Sequence, residues 1–441
     1  MPRTRFDDIM AQMNMKKFLR TGILFAAAAC AAFFTFSCAS AGYIQEATQT
    51  ESAHAGCAPE YTETAAPSET SEAEDTVPLP DGIPHSDAAS QLTVLFGGDI
   101  MAHTENLSMK DYSRIWRDVR ETISDADIAL ANIEAPVDTS RPASTYPEFN
   151  MPKEYVEAAV DAGFRVFSLC NNHTNDQGKS GILGTARTAA EIQGGTDGRG
   201  RKIYFSGLRG TDGNFSYNII EEKGWKILFL PMTEILNRNS CADMINFVPP
   251  EEKFRAEFLE LCGKLYAETG PDLFIVSVHA AEPEYTRRVA QEQDDWYTRI
   301  LAAGADVVWA NHAHIIKDRK ITVMEDGAHK LIMYANGNTI SGQRRKPLLN
   351  AENVDTERDN TGDGILFRVA FTRDSGKIQI KKAEPVLITT YINTASEFVL
   401  KKLDGGFINY LNEVPRRDWA KYMEKRLRLN MTATRNTIEW K

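Results

Sequence analysis

A chain of 441 residues with 42% hydrophobic and 25% charged side chains is neither wholly disordered nor collagen-like, and it can bury at least one large core. Its net charge of −11 is concentrated: residues 1–38 carry five basic and two acidic side chains, residues 39–90 carry ten acidic and no Lys or Arg, and the remainder is close to neutral. No basic surface of the kind nucleic acid requires is encoded, which excludes that partner class.

Lys16, Lys17 and Arg20 precede an uncharged run over residues 21–36, rich in Ala and Phe. The run is shorter than the roughly 20 residues of a spanning helix and fits the apolar region of a signal peptide. Met15, directly before Lys16 and Lys17, would open a conventional signal. Thr35-Phe36-Ser37-Cys38 closes the run and resembles a bacterial lipoprotein cleavage box, with Phe36 where a small residue is commoner. Residues 1–38 are therefore expected to form a lipoprotein-type signal. Cys38 would be lipidated, and the mature protein exported and anchored to a membrane on the extracytoplasmic side. An uncleaved signal anchor is the alternative.

Residues 39–90 hold Ala, Ser, Thr, Glu and Pro with few large apolar side chains, so burial cannot offset their ordering entropy. They read as a self-repelling, disordered tether. The cysteines beyond the signal (Cys57, Cys170, Cys241, Cys262) lack metal-type CxxC spacing, and no obligatory disulfide framework is expected. A Cys241–Cys262 bridge stays open.

From residue 91 the pattern becomes α/β, with short β-branched or aromatic runs alternating with amphipathic stretches. What stands at the end of each run is informative. Leu92 to Phe96 leads through Gly97-Gly98 to Asp99, and Ile128 to Ala131 leads to Asn132 and Glu134. Arg165 to Cys170 leads to Asn171-Asn172-His173, Leu273 to Val278 leads to His279, and Asp306 to Ala310 leads to Asn311, His312 and His314. In isolation Asp99 reads as a helix cap, Asn172 as a turn residue and each His as a hydrogen-bonded structural residue. Together, five strands ending in carboxylate, carboxamide or imidazole describe a divalent-metal site, because α/β sheets bind ligands beyond the carboxyl ends of their strands.

The ordered set resembles the calcineurin-like metallophosphoesterases, and in finer detail the capsule-synthesis CapA family of that fold, associated with poly-γ-glutamate capsules. The resemblance is carried by Gly98-Asp99-Ile100-Met101, Ala131-Asn132-Ile133-Glu134, Asn171-Asn172-His173 with Asp176 and Gly178, and His279 with Glu284-Tyr285. It continues through Gln293, Gly304-Ala305-Asp306, Ala310-Asn311-His312-Ala313-His314, Tyr334 and Gly337-Asn338, covering about residues 91–345. It implies a domain over 91–392 of sheet layers flanked by helices, holding one or two divalent ions (Mn, Fe or Zn). The implied ligands are Asp99, Glu134, Asn172, His279, His312 and His314, with Glu134 bridging. His173 would be a proton donor oriented by Asp176, and Asn132, Glu284 and Asn338 would contact substrate. The implied partners are an anionic polymer or phosphoester and capsule-synthesis proteins. The implied function is metal-dependent hydrolysis or transfer, with a non-catalytic capsule assembly or export factor as the alternative.

Three departures stand out. The run His279-Ala280-Ala281-Glu282-Pro283-Glu284-Tyr285 is one residue longer than the family's His-x-Gly-x-Glu-Tyr, leaving Glu282 or Glu284 as the counterpart of its Glu. Ala313 replaces a usual Pro, and Met101 stands where phosphoesterases carry a ligand His, with His103 two residues on as a substitute or a surface residue. Both His312 and His314 can face one ion only if the chain is extended there. Residues 346–364 read as a solvated loop before a strand from Gly364 to Thr372. Residues 393–441 read as a C-terminal helical extension whose apolar stripes pack on the parent domain.

Overall fold

The computed structural model describes residues 91–210, 212–433 and 435–440. The expected signal, Cys38 and the acidic tether lie outside the described residues. The first half of the chain forms β1 (Leu92–Ile100), β2 (Ile128–Ile133), β3 (Val166–Ser168), β4 (Tyr204–Ser206), β5 (Asn218–Glu222) and β6 (Trp225–Thr233). The second forms β7 (Leu273–His279), β8 (Val307–Asn311), β9 (Arg319–Val323), β10 (His329–Met333), β11 (Asn338–Ile340), β12 (Asp363–Asp374), β13 (Lys377–Ile392), β14 (Phe398–Lys402) and β15 (Asn436–Trp440). The longer helices are α1 (Lys153–Ala162), α2 (Gly178–Gln193), α3 (Glu252–Thr269), α4 (Gln291–Ala302), α5 (Gly405–Glu413) and α6 (Arg417–Ala433).

One sheet runs β14-β13-β12-β1-β2-β3-β4, with β11 pairing on the far end of β1; the other runs β15-β9-β10-β8-β7-β6-β5. Alternation along the strands decides how they stack. Val94 and Phe96 of β1 and Ile128 and Leu130 of β2 pack against Ile227, Phe229, Ile275, Val307 and Trp309 of the other sheet. Their neighbours Leu95, Ala129 and Ala131 point outward, onto a core shared with α1, α5 and α6. Leu228, Phe274, Val276 and Val308 point the other way, onto α3 and α4. The result is helix, sheet, sheet, helix, as a period-two pattern with both faces buried requires.

Within each sheet the central strands are parallel (β1, β2 and β3; β6, β7 and β8), so their carboxyl ends gather on one side. Two contacts pin these ends across the interface. Trp309 Nε1 donates to the Gly97 carbonyl at 2.9 Å, and the Asn336 amide donates to the same carbonyl at 3.0 Å. Gly98 makes this approach feasible, since a β-carbon there would meet the Gly337 carbonyl oxygen at 1.8 Å.

The segment from 393 forms α5, started by the Asp404 carboxylate accepting from Phe407 N–H, and α6. It is not only a helical extension. β14 pairs with β13 and β15 pairs with β9, so this segment extends both sheets. The expected solvated loop also turns inward at its end, where Asp359 and Asp363 are buried. Asp363 meets Arg344 at 2.7 Å and Arg426 of α6 at 2.6 Å, and Tyr422 donates to Asp359 at 2.5 Å. A charge-paired core of this kind has no periodic signature. Cys170, Cys241 and Cys262 are free thiols, which answers the open bridge.

Candidate metal centre

Asp99 lies on β1 just before its end, and Glu134 follows β2 directly. Asn172 and His173 follow β3, His279 ends β7, and His312 and His314 follow β8. All of these side chains are buried. Strands of one sheet bring Asp99, Glu134 and Asn172; strands of the other bring the three histidines. They meet: His279 Nε2 lies 2.8 Å from Asn172 Oδ1 and 3.8 Å from Glu134, and His314 lies 3.3 Å from Asp99 and 3.6 Å from Glu134.

Three overlapping groups hold their candidate ligand atoms within 4.8 Å of one another: Asp99–Glu134–His314, Glu134–His279–His312, and Glu284–His312–His314. Glu134 is common to the first two, the position of a bridging ligand between two ions. Neither Glu134 oxygen has a hydrogen-bond partner among the described residues, though both are buried. Such a carboxylate is costly in a folded protein unless a cation balances it. Burial, then the nearby Asp99 and Glu284 carboxylates, push its pKa well above the usual range. Burial, then the neighbouring His312 and His314, hold His279 well below its usual value, and burial with His314 lowers His312 to about 4. Burial also opposes charge on His314, but the hydrogen bond to Asp99, the charges of Asp99 and Glu284 and the Asn338 contact together outweigh that and raise it. Imidazoles, of which His279 and His312 are held neutral, converging with the unsatisfied Glu134 carboxylate form a donor set that suits a divalent cation.

His312 and His314 do not reach the cluster by an extended chain. Their φ angles are 104° and 56°, both left-handed, at a cost of about 1–3 kcal/mol each. The loop is held by Tyr285 N–H donating to Ala313 O at 3.0 Å, and by burial of Ala313 and Ile315. This turn lets His312 join the His279 side and His314 the Asp99 side.

The residues expected to touch substrate separate. Asn132 donates to Asp99 at 2.8 Å, and Asn338 meets His314 Nδ1 at 3.0 Å. Both stand behind the ligands and orient them. With Nδ1–H donating to Asn338, His314 Nε2 is left facing Glu134. Glu284 sits among the candidate ligands, whereas Glu282 pairs with the buried Lys317. Met101 brings no imidazole, and His103 joins none of the three groups. His103 instead lines the mouth and accepts from Gly342 N–H at 3.3 Å.

His173 Nδ1 lies 2.7 Å from Asp176, whose same oxygen accepts from Phe149 N–H at 2.9 Å. The short carboxylate contact makes Nδ1 the protonated nitrogen and leaves Nε2 for other partners. His173 forms part of the wall of a cavity of about 680 Å³, together with Glu284, Tyr285 and His314. Asn237, missed in sequence, accepts from Asn172 at 3.3 Å and packs its amide 3.1 Å from His173. Applying the strand-end rule to β6, which runs into Glu234 and this loop, would have found it.

Residues 93–343 match the model of the family described as bacterial capsule synthesis protein PGA_cap. A curated relative, the capsule biosynthesis protein CapA of Bacillus anthracis, is 23% identical over 316 residues, covering 69% of this chain and 71% of its own. Among solved structures, the calcineurin-like phosphoesterase YfkN of Bacillus subtilis is 11% identical with a TM-score of 0.38, over 76% of this chain and 99% of its own. A hypothetical protein from Thermus thermophilus is 16% identical with a TM-score of 0.38, over 67% of this chain and 98% of its own. The family match spans more than half of the chain, which therefore belongs to the bacterial capsule synthesis PGA_cap family.

Proposed function

We propose that this chain is an exported, metal-dependent hydrolase or transferase acting on an anionic capsule-type polymer such as poly-γ-glutamate, or on a phosphoester. The observation that carries the reading is His173: a histidine held through Nδ1 by Asp176, on the cavity wall beside the ligand cluster. A site that only binds its ligand has no need of an oriented proton donor there. Asp99, Glu134, Asn172, His279, Glu284, His312 and His314 would hold one or two ions of Mn, Fe or Zn. A divalent ion there supplies Lewis-acid polarisation and an activated water. The protein's own part is to orient the ligands through Asn132 and Asn338, exclude bulk water, and, when His173 carries a proton on both ring nitrogens, pass the Nε2 proton to the leaving group while Asp176 holds Nδ1–H.

The test is metal content together with turnover. Purified chain is expected to hold a transition metal stoichiometrically and to hydrolyse bis-p-nitrophenyl phosphate or γ-linked glutamate oligomers when Mn²⁺, Fe²⁺ or Zn²⁺ is supplied. Bound metal without turnover of either substrate class would favour an assembly or export factor, for which Met101 in place of a ligand His is the supporting observation. The double replacement His312→Ala with His314→Ala is expected to remove most bound metal while leaving the circular dichroism spectrum largely unchanged. Metal retained at full stoichiometry would make these two histidines structural.

Anchoring through a lipidated Cys38 belongs to the same reading and rests on the sequence alone. No helix among the described residues is long and apolar enough to cross a membrane. Cys38→Ala is expected to abolish lipid labelling and delay signal processing; unchanged labelling would defeat the lipoprotein assignment.

A further inference from the structure

The cavity beside the candidate ligands carries an excess of positive charge. Its lining joins His173, Glu284 and His314 with the cations Arg345, Lys346 and Arg358. Arg345 has only a loose ion pair, 3.6 Å from Glu105, and its side chain is 66% exposed. Lys346 and Arg358 are exposed and have no carboxylate partner among the described residues. Apart from Glu284, Glu105 is the only carboxylate among the described lining residues.

These cations are placed rather than adrift. Arg345 and Lys346 follow Arg344, whose guanidinium is buried and bound to Asp363 at 2.7 Å and to Thr389 and the Thr390 carbonyl at 2.6 Å. Arg358 sits in a short helix capped by the Thr356 hydroxyl, stacks its guanidinium 5.0 Å from the Tyr285 ring centroid, and donates to the Tyr285 hydroxyl at 3.2 Å. Stacking holds the planar fork in an orientation that suits a carboxylate or phosphate group. Three cations lining one cavity repel one another, and the loose Arg345–Glu105 pair is the one ion pair among the described residues that offsets this.

We propose that Arg345, Lys346 and Arg358 form a second anion subsite, so that the substrate class is a molecule carrying at least two anionic groups. One group is engaged at the metal cluster and another, carboxylate or phosphate, at this rim. The inference rests on the proposed function for the position of the reacting group, and the rim itself needs no metal. Tyr146, 68% exposed and on the same cavity, offers an apolar surface for the segment between the two groups.

Binding tests this without requiring turnover. Full-length chain loaded with Mn²⁺ is titrated calorimetrically with a γ-linked glutamate hexamer, with tripolyphosphate, and with methyl phosphate as the single-anion control. At least one of the two multi-anion probes is expected to bind more tightly than methyl phosphate, and which one does identifies carboxylate or phosphate as the rim's ligand. Lys346→Glu and Arg358→Glu should each weaken that probe about tenfold or more, the worth of one charge-assisted hydrogen bond, and leave methyl phosphate within about twofold. Lys346→Arg should restore wild-type affinity. An equal loss for methyl phosphate, no loss for the multi-anion probe, or a wild type that binds neither more tightly than methyl phosphate would overturn the subsite. Failure of the hydrolase reading would appear separately, as tight, rim-dependent binding without hydrolysis of any substrate.

Discussion

His173→Ala is expected to leave bound metal in place and to slow hydrolysis by roughly 10² to 10⁴, the usual worth of one positioned acid or base. Its neighbour should behave in the opposite way. Asn172 Oδ1 lies 2.8 Å from His279 Nε2, within the candidate ligand cluster, so under the proposed function Asn172→Ala removes a candidate ligand oxygen and should lower metal affinity. His173 is held through Nδ1 by its 2.7 Å bond to Asp176 and belongs to the cavity wall. Asp176→Asn should give an intermediate loss of rate with metal retained, because the tautomer of His173 is no longer fixed. Metal analysis and single-turnover rates on the same preparations separate the cases. If His173→Ala loses metal while Asn172→Ala keeps it, the two roles must be exchanged.

Arg426→Ala is expected to cost about 3–5 kcal/mol of stability in urea unfolding, the range for breaking a buried ion pair by removing one partner. Arg426, Arg344 and Asp363 are all buried, and Asn430 also donates to Asp363 at 2.7 Å. Loss of Arg426 leaves the carboxylate with Arg344 as its one counter-charge. Arg428 on the same helix is 76% exposed and pairs with Glu424; Arg428→Ala should change stability by no more than about 0.5 kcal/mol. The same network sets an acid limit. Burial opposes charge on Asp363, but Arg426 and Arg344 outweigh it and hold its carboxyl down at about 2, below its usual 3.8. A depressed carboxylate pKa stabilises the fold fully above the unfolded value and progressively less as pH falls through the folded one. Roughly 2 kcal/mol of stability should therefore be lost between about pH 4 and pH 2, and Arg426→Ala should shrink that acid-dependent part. Because Arg344 also anchors Arg345 and Lys346, the variant should weaken the cationic rim as well.

The strand-end residues were legible because two local signals coincide at each of them. An apolar run with both faces buried stops, and a polar side chain that has no reason to enter the core follows. That rule led to Asp99, Glu134, Asn172, His173, His279, His312 and His314, and the spacing from His173 to Asp176 anticipated a contact within one turn of chain. The apolar runs that marked β1, β2, β7 and β8 as strands bury both faces, and in the sandwich the neighbours Val94 and Leu95 face different cores.

Other features were fixed only by tertiary packing. Glu282 and Glu284 are indistinguishable in sequence; one pairs with Lys317 and the other joins His312 and His314. Asn132 and Asn338 resemble substrate contacts by position, yet each is a short side chain filling the space behind a ligand, at a depth no pattern encodes. The left-handed turns at His312 and His314 depend on Tyr285 holding Ala313 from another loop. β15 reads as the tail of a helix until β9 offers it an open edge. Hydrophobic periodicity and turn chemistry act over a few residues and were sufficient for the elements and their polar ends. Pairings such as Asp99 with His314, Arg344 with Asp363 and Arg426, or Asn237 with His173 join residues far apart in the chain; the first and last need one sheet packed on the other, and the middle one needs α6 seated on the first sheet.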